Sequence, residues 1–196
     1  MFAGPWRRLG AMRLFFSVPL PQEAKDRAAR ALAPARAAAG ELSWTKPEQM
    51  HLTLAFLGEQ PPEALERIYA AAQPCTGLKP FEATLSGAGA FPNPRRAHVL
   101  WLGIIEGANE LVELATRLCG GLRAAGFELE TRAFHPHLTV ARVKRGCERD
   151  AERALRSVGP GEVARFHVGR LLLMKSELSP KGARHEEVRA FPLAGG

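Results

Sequence analysis

Two short segments of this chain carry the same chemistry: His51-Leu52-Thr53-Leu54-Ala55-Phe56-Leu57-Gly58 and His137-Leu138-Thr139-Val140-Ala141-Arg142-Val143. An imidazole titrates near pH ~6.5, so of two histidines at one site, one can be neutral and the other protonated close to neutral pH. That pairing suits phosphodiester cleavage by in-line displacement, which needs a base behind the attacking oxygen and an acid at the leaving oxygen on the opposite side. A threonine hydroxyl two residues on, Thr53 or Thr139, can donate to the non-bridging phosphate oxygens, whose charge grows in the transition state. Such chemistry calls for no metal and no cofactor.

Both motifs read as strands. Alternation places His51 with Thr53, and His137 with Thr139, on one face; Leu52, Leu54 and Phe56, and Leu138 and Val140, then face the opposite way into helix-covered cores. A lone His-x-Thr on a strand is most often a half-buried structural pair. Two copies in matching surroundings point instead to catalysis, and the 86 positions between His51 and His137 also separate Gly40 from Gly126.

The elements around the motifs follow one order twice. A strand is expected from Met12 to Val18, then a helix over Gln22 to Ala39, kinked or divided by Pro34 and closed by Gly40. Strands follow at Leu42 to Thr45 and His51 to Leu57, a helix at Pro62 to Ala72, and strands at Phe81 to Leu85 and Val99 to Ile104. In the second half a helix over Ala108 to Ala125, with Leu111, Leu114, Ala115, Leu118 and Leu122 at helical spacing, is closed by Gly126. Strands at Phe127 to Glu130 and His137 to Val143, a helix over Glu148 to Val158, and strands at Phe166 to Met174 and Val188 to Leu193 complete it. The repetition implies an α+β fold of two pseudo-symmetric lobes. Each lobe would be a mainly antiparallel sheet with helices on its outer face, and the two histidines would meet in the cleft between them.

The chain of 196 residues suffices for one sizeable core, so residues 12–196 read as a single two-lobed domain and residues 1–11 as an N-terminal extension. Apolar residues at 46% and charged residues at 24% are ordinary for a globular protein and argue against disorder. The three cysteines, Cys75, Cys119 and Cys147, lack C-x-x-C spacing, which argues against a disulfide framework or a cysteine zinc site. Neither a signal-peptide core nor a membrane-length apolar run stands out, so the expectation is a cytoplasmic protein with no membrane partner, acting as a monomer. A net charge of +7 favours a polyanion such as RNA, although an arginine-rich composition alone would give the same charge.

The sequence resembles the two-histidine phosphoesterases, and within them the RNA 2′,3′-cyclic phosphodiesterases, also called the 2′-5′ RNA ligase family. Nearly everything from Met12 to Leu193 takes part. The matching stretches include Met12-Arg13-Leu14-Phe15-Phe16, Trp44 and Pro47, and both motifs. They continue through Gly87-Ala88-Gly89-Ala90-Phe91-Pro92, Val99-Leu100-Trp101, Phe134-His135-Pro136 and Leu173-Met174-Lys175-Ser176-Glu177-Leu178. The resemblance implies that His51 is the proton donor, His137 the proton acceptor, and Thr53 and Thr139 the phosphate-holding residues. Water activated by His137 would open a 2′,3′-cyclic phosphate at an RNA end, for example on a tRNA fragment, and leave a 2′-phosphomonoester. Reversible, ATP-independent 2′-5′ ligation would follow if a ribose 5′ hydroxyl replaced water.

Other residues admit two readings. His135 shares parity with His137 and fits a structural or orienting role; an alternative metal role with His51 lacks acidic or cysteine companions. His98, His167 and His185 have no motif context and read as ordinary surface or packing histidines. Arg142 falls on the face opposite His137 unless a bulge intervenes. Arg95, Arg96, Arg132, Lys144 and Arg145 could meet phosphates or simply be solvated, and Trp44 and Trp101 could stack on a base or be buried. Two alternatives stand beside the RNA-end enzyme: a cyclic phosphodiesterase acting on small nucleotides, and a non-catalytic RNA-binding module.

Overall fold

The computed structural model describes residues 10–179 and 182–195; residues 1–9, most of the expected extension, lie outside the described residues. The first strand, β1 (Met12–Pro19), buries Leu14, Phe16 and Val18 on one face. Pro21 starts helix α1 (Gln22–Ala31), which ends at Leu32, and α2 (Ala33–Ala38) begins at once with a proline in its first turn. Pro34 supplies no N–H for a continuous helix, so the expected Gln22 to Ala39 helix is divided. A two-residue strand, β2 (Ser43–Trp44), precedes β3 (His51–Gln60). The next helix starts as a 3-10 turn at Pro62–Ala64 and becomes α3 (Leu65–Ala72).

Then come β4 (Phe81–Phe91), β5 (Val99–Ile104), α4 (Ala108–Ala124), β6 (His137–Arg142) and α5 (Glu148–Ser157). Helix α4 buries Leu111, Leu114, Ala115, Leu118 and Leu122, the stripe its period predicts. No strand forms at Phe127 to Glu130, where Phe127 is buried and an Arg123 side chain, not a neighbouring strand, donates to the Glu130 carbonyl at 3.2 Å. The expected strand from Phe166 to Met174 is two strands, β7 (Glu162–Val168) and β8 (Arg170–Ser179), broken at Gly169. The chain ends with β9 (Gly182–Pro192).

The strands form two antiparallel sheets, ordered β3-β1-β8-β9 and β2-β6-β5-β4-β7, and with the helices they make an α+β fold. The lobes are therefore not the two successive halves of the chain. The second repeat starts at β5, which pairs with β6 as β1 pairs with β3. The β4 strand, counted with the first half by chain order, lies in the second sheet, while β8 and β9 return to complete the first. Gly169 marks the crossing from one sheet to the other. One apolar core runs through both lobes, including Phe16 and Leu52 of the first sheet and Leu102 and Leu138 of the second.

Candidate active site

His51 opens β3, an edge strand, and His137 opens β6; the two strands approach each other where the sheets meet. The backbone holds both rings in the same way. His51 Nδ1 lies 2.7 Å from the Gln49 carbonyl, and His137 Nδ1 lies 2.7 Å from the His135 carbonyl. A carbonyl only accepts, so each Nδ1 carries the proton and Nε2 holds the lone pair in the neutral ring. Among the described residues neither Nε2 has a protein partner, nor do the half-buried hydroxyls of Thr53 and Thr139. Each lobe thus presents one free ring nitrogen and one free hydroxyl on the same strand.

Both strands also carry the same irregularity. Thr53 pairs with Ser17 and Ala55 with Phe16, which leaves Leu54 as an extra residue. Thr139 pairs with Trp101 and Ala141 with Leu100, which leaves Val140 extra in the same way. A bulge reverses the alternation beyond it. Phe56, opposite Phe15, therefore returns to the face of His51 and Thr53, and Arg142, opposite Val99, returns to the face of His137 and Thr139. This corrects the expected placement of Phe56, which is 56% exposed, and settles that of Arg142, which is exposed as well.

The surroundings of the two rings differ. His51 packs against Phe15 and, edge to face, against His185, with ring centroids 5.0 and 5.1 Å away. Burial pushes its pKa down to about 4; the bond to Gln49 opposes the shift, and His185 and Lys25 add to it. His137 meets Phe91 edge to face at 5.0 Å and stacks on His135 at 6.4 Å. Its pKa is lowered too, chiefly by burial, with the His135 carbonyl opposing and the His135 ring contributing. Both imidazoles are therefore neutral at pH 7 without a ligand, rather than split between charged and neutral, and a bound phosphate anion would supply the field that protonates one of them. Trp101 lies under this lobe, 5.2 Å from the His135 ring, in the space left by Gly89, where a Cβ would collide with the indole.

His135 stands beside His137 and its carbonyl orients that ring, in line with the orienting role. Gln49 does the same for His51, and its position 86 residues before His135 is the signal that could have found it. Of the histidines without motif context, His185 is a packing residue, set edge to face against both His51 and Phe15. His167, by contrast, sits on the surface, 2.9 Å from Glu82. Trp44 is a packing residue, its indole N–H donating to the Ala39 carbonyl at 2.9 Å with Arg36 over the ring. Arg95, Arg96, Arg132, Lys144 and Arg145 are exposed. Among the described residues no three His, Cys, Asp or Glu side chains converge as a metal cluster, and no helix is long and apolar enough to cross a membrane.

Two antiparallel sheets, each presenting one strand with a backbone-anchored histidine and a free threonine, define a class of two-lobed H-x-T proteins. A family model described as the 2′-5′ RNA ligase superfamily matches residues 21–180. An RNA 2′,3′-cyclic phosphodiesterase of Methanothermobacter thermautotrophicus is 33% identical over 184 residues, covering 93% of this chain and 99% of that protein. One from Archaeoglobus fulgidus is 34% identical over 180 residues, covering 92% and 99%. Among solved structures, TT0787 of Thermus thermophilus superposes with a TM-score of 0.75 at 31% identity, covering 93% of this chain and 98% of its own. The E. coli LigT complex with 3′-AMP gives 0.74 at 27% identity, covering 93% and 98%. The chain belongs to the 2′-5′ RNA ligase superfamily.

Proposed function

We propose that the protein is a cyclic phosphodiesterase that hydrolyses 2′,3′-cyclic phosphates at RNA ends, such as those of tRNA fragments, to 2′-phosphomonoesters. The observation that carries this reading is the matched anchoring of His51 and His137, each with Nδ1–H on a carbonyl two residues upstream and Nε2 free. Neutral His137 accepts a proton from water through Nε2 as the water oxygen attacks phosphorus. Protonated His51 donates through Nε2 to the 3′ oxygen as the P–O3′ bond breaks, and the phosphate stays on O2′. Thr53 and Thr139 donate to the non-bridging oxygens, and Arg142, on the His137 side, offsets their growing charge.

Burial lowers the pKa of both rings, so His51 carries the proton it donates only in the complex, where the phosphate anion raises it, and His137 accepts as the neutral ring. No metal or cofactor takes part in this scheme. Ligation through a 2′-5′ bond is the same displacement with a ribose 5′ hydroxyl in place of water: its oxygen attacks phosphorus, the P–O3′ bond breaks, and His51 protonates O3′. We place the reaction in the cytoplasm, carried out by a monomer built from residues 12–196, with residues 1–11 as an extension outside the catalytic domain.

The test is incubation of EDTA-treated protein with an oligonucleotide ending in a 2′,3′-cyclic phosphate, followed by mapping of the product phosphate. A 2′-phosphate formed without added metal is the expected result. A 3′-phosphate product, or activity that returns only with metal, would overturn the scheme.

A further inference from the structure

The His137 lobe carries a group of cations of which the hydrolytic scheme uses one. Arg142 ends β6 on the site face, and Lys144 and Arg145 follow in the turn that leads to α5. The 3-10 turn Pro94–Arg96 brings Arg95 and Arg96 to the same end of the sheet: it packs against α5, and the His98 carbonyl accepts from the Val143 N–H at 2.9 Å. All five side chains are exposed, and among the described residues none of them has an ion-pair partner. The acids of this region are already engaged. Glu148 accepts from the Gly146 N–H at 3.2 Å, Asp150 pairs with Arg153, and Glu152 pairs with Arg156.

Five unpaired like charges at one end of a sheet repel one another, and a polyanion laid along them relieves that repulsion. The other lobe has no such excess beside its histidine. There a cavity of about 150 Å³ between the β8–β9 hairpin and the first sheet is lined in part by Lys25 and Glu48, one charge of each sign. In-line displacement puts the attacking oxygen on the His137 side of phosphorus. During hydrolysis that oxygen is water, which needs no cationic track. A ribose 5′ hydroxyl, by contrast, belongs to an RNA strand whose phosphates must leave the site on this side. β6 runs from His137 to Arg142, about 15 Å at ~3.3 Å per residue, so a strand following it passes Arg142 and then reaches the two basic turns.

We infer that Arg142, Lys144, Arg145, Arg95 and Arg96 form the track for the RNA strand that carries the attacking 5′ hydroxyl, with its 5′ end at His137 and its phosphates along the two turns. This inference rests on the assignment of His137 as the base. The hydroxyl gives its proton to His137 Nε2 as the O5′–P bond forms, and the P–O3′ bond breaks with a proton from His51. The track is thus a second RNA site, separate from the one that holds the cyclic phosphate, and it favours a strand over water as the nucleophile.

Fluorescence anisotropy of a 5′-hydroxyl RNA hexamer labelled at its 3′ end tests it, with adenosine 2′-monophosphate present to hold the His51 side. The hexamer should bind about fivefold more tightly than its 5′-phosphorylated counterpart, because a terminal phosphate would face the phosphate already held. The double variants Lys144→Glu/Arg145→Glu and Arg95→Glu/Arg96→Glu should each weaken it about tenfold or more, with melting temperatures unchanged. Arg117→Glu/Arg123→Glu on α4, an equal change in net charge elsewhere, should leave it within about twofold. Hydrolysis of a dinucleotide cyclic phosphate, measured alongside, should stay within about twofold in all three. Equal binding of the two hexamers, an equal loss in the α4 variant, or a matching loss of dinucleotide hydrolysis in the track variants would overturn the track. The expected binding pattern without any hydrolysis by the wild type would support the track while removing the proposed reaction.

Discussion

The two lobes share a backbone device and differ in what surrounds it. In each, a histidine opens a strand, donates Nδ1–H to the carbonyl two residues upstream, and is followed by a threonine and then a bulge. Yet His51 lies among Phe15, His185 and a cavity, and His137 among Phe91, Trp101 and an exposed His135. Residues 56 and 142, both turned onto the site face by the bulges, are phenylalanine in one lobe and arginine in the other. A duplicated scaffold can thus supply two different surroundings: equal geometry aims the rings, and unequal neighbours give each ring its own environment.

The largest effect should come from removing either ring. His51→Ala and His137→Ala should each lower turnover of a cyclic-phosphate oligonucleotide by about 10²–10⁴-fold, the usual contribution of a positioned acid or base. Melting temperatures should stay close to wild type. A variant retaining full activity would end the comparison, because the lobes would no longer be complementary.

Next in size is the contrast between residues 142 and 56. Arg142→Ala should lower kcat/KM about tenfold, with part of the loss in kcat, and flatten the salt dependence of RNA binding by roughly one charge, since a phosphate contact releases counterions. Phe56→Ala should weaken oligonucleotide binding by the ~1–3 kcal/mol of a lost stacking contact, with the salt slope unchanged. Binding isotherms across a salt series separate the two, and identical slopes for both variants would contradict the asymmetry.

Gly89→Ala should disturb only the His137 lobe. The new Cβ would run into the Trp101 ring, so the indole must shift from beside His135. The expected result is a several-fold fall in kcat with little change in the binding of 2′-monophosphate at the His51 side. Equal losses in both would mean the lobes are not separable.

The smallest effects are in pH dependence. A bound phosphate anion raises the pKa of a neighbouring imidazole, so the falling limb of kcat, which reports the complex, should lie at higher pH than that of kcat/KM, which reports the free protein. Stability carries its own signature. Both histidines bind protons more weakly folded than unfolded, so the unfolded chain takes up protons first, and stability should fall as the pH drops from 6.5 towards about 4, the range set by His51. Denaturant unfolding at a series of pH values checks the sign; His51→Phe should remove part of the slope.

Much of the site was legible in the sequence. The two H-x-T motifs, their spacing and the α4 stripe are local patterns, and the structure places each on the expected element. The bulges were not, because Leu54-Ala55 and Val140-Ala141 look like any apolar strand interior, and nothing local marks an unpaired residue. Strand exchange between the sheets escaped for a related reason: β4 and β5 read as the end of the first half by chain order, but hydrogen-bonding partners depend on packing. His185 is reached only through the hairpin, whose Ala183 meets a residue 134 positions away in Gln49. Its neighbours in sequence say nothing of His51.

The division of labour between the two histidines is tested most directly with a substrate whose 3′ oxygen is replaced by sulfur, because a thiolate departs without needing a proton. Rates for His51→Ala and His137→Ala would be measured on this cyclic phosphorothiolate and on its oxygen counterpart. If His51 is the acid, His51→Ala should recover most of its lost rate on the sulfur substrate, while His137→Ala stays inactive. Recovery by His137→Ala instead, or by neither variant, would contradict the assignment.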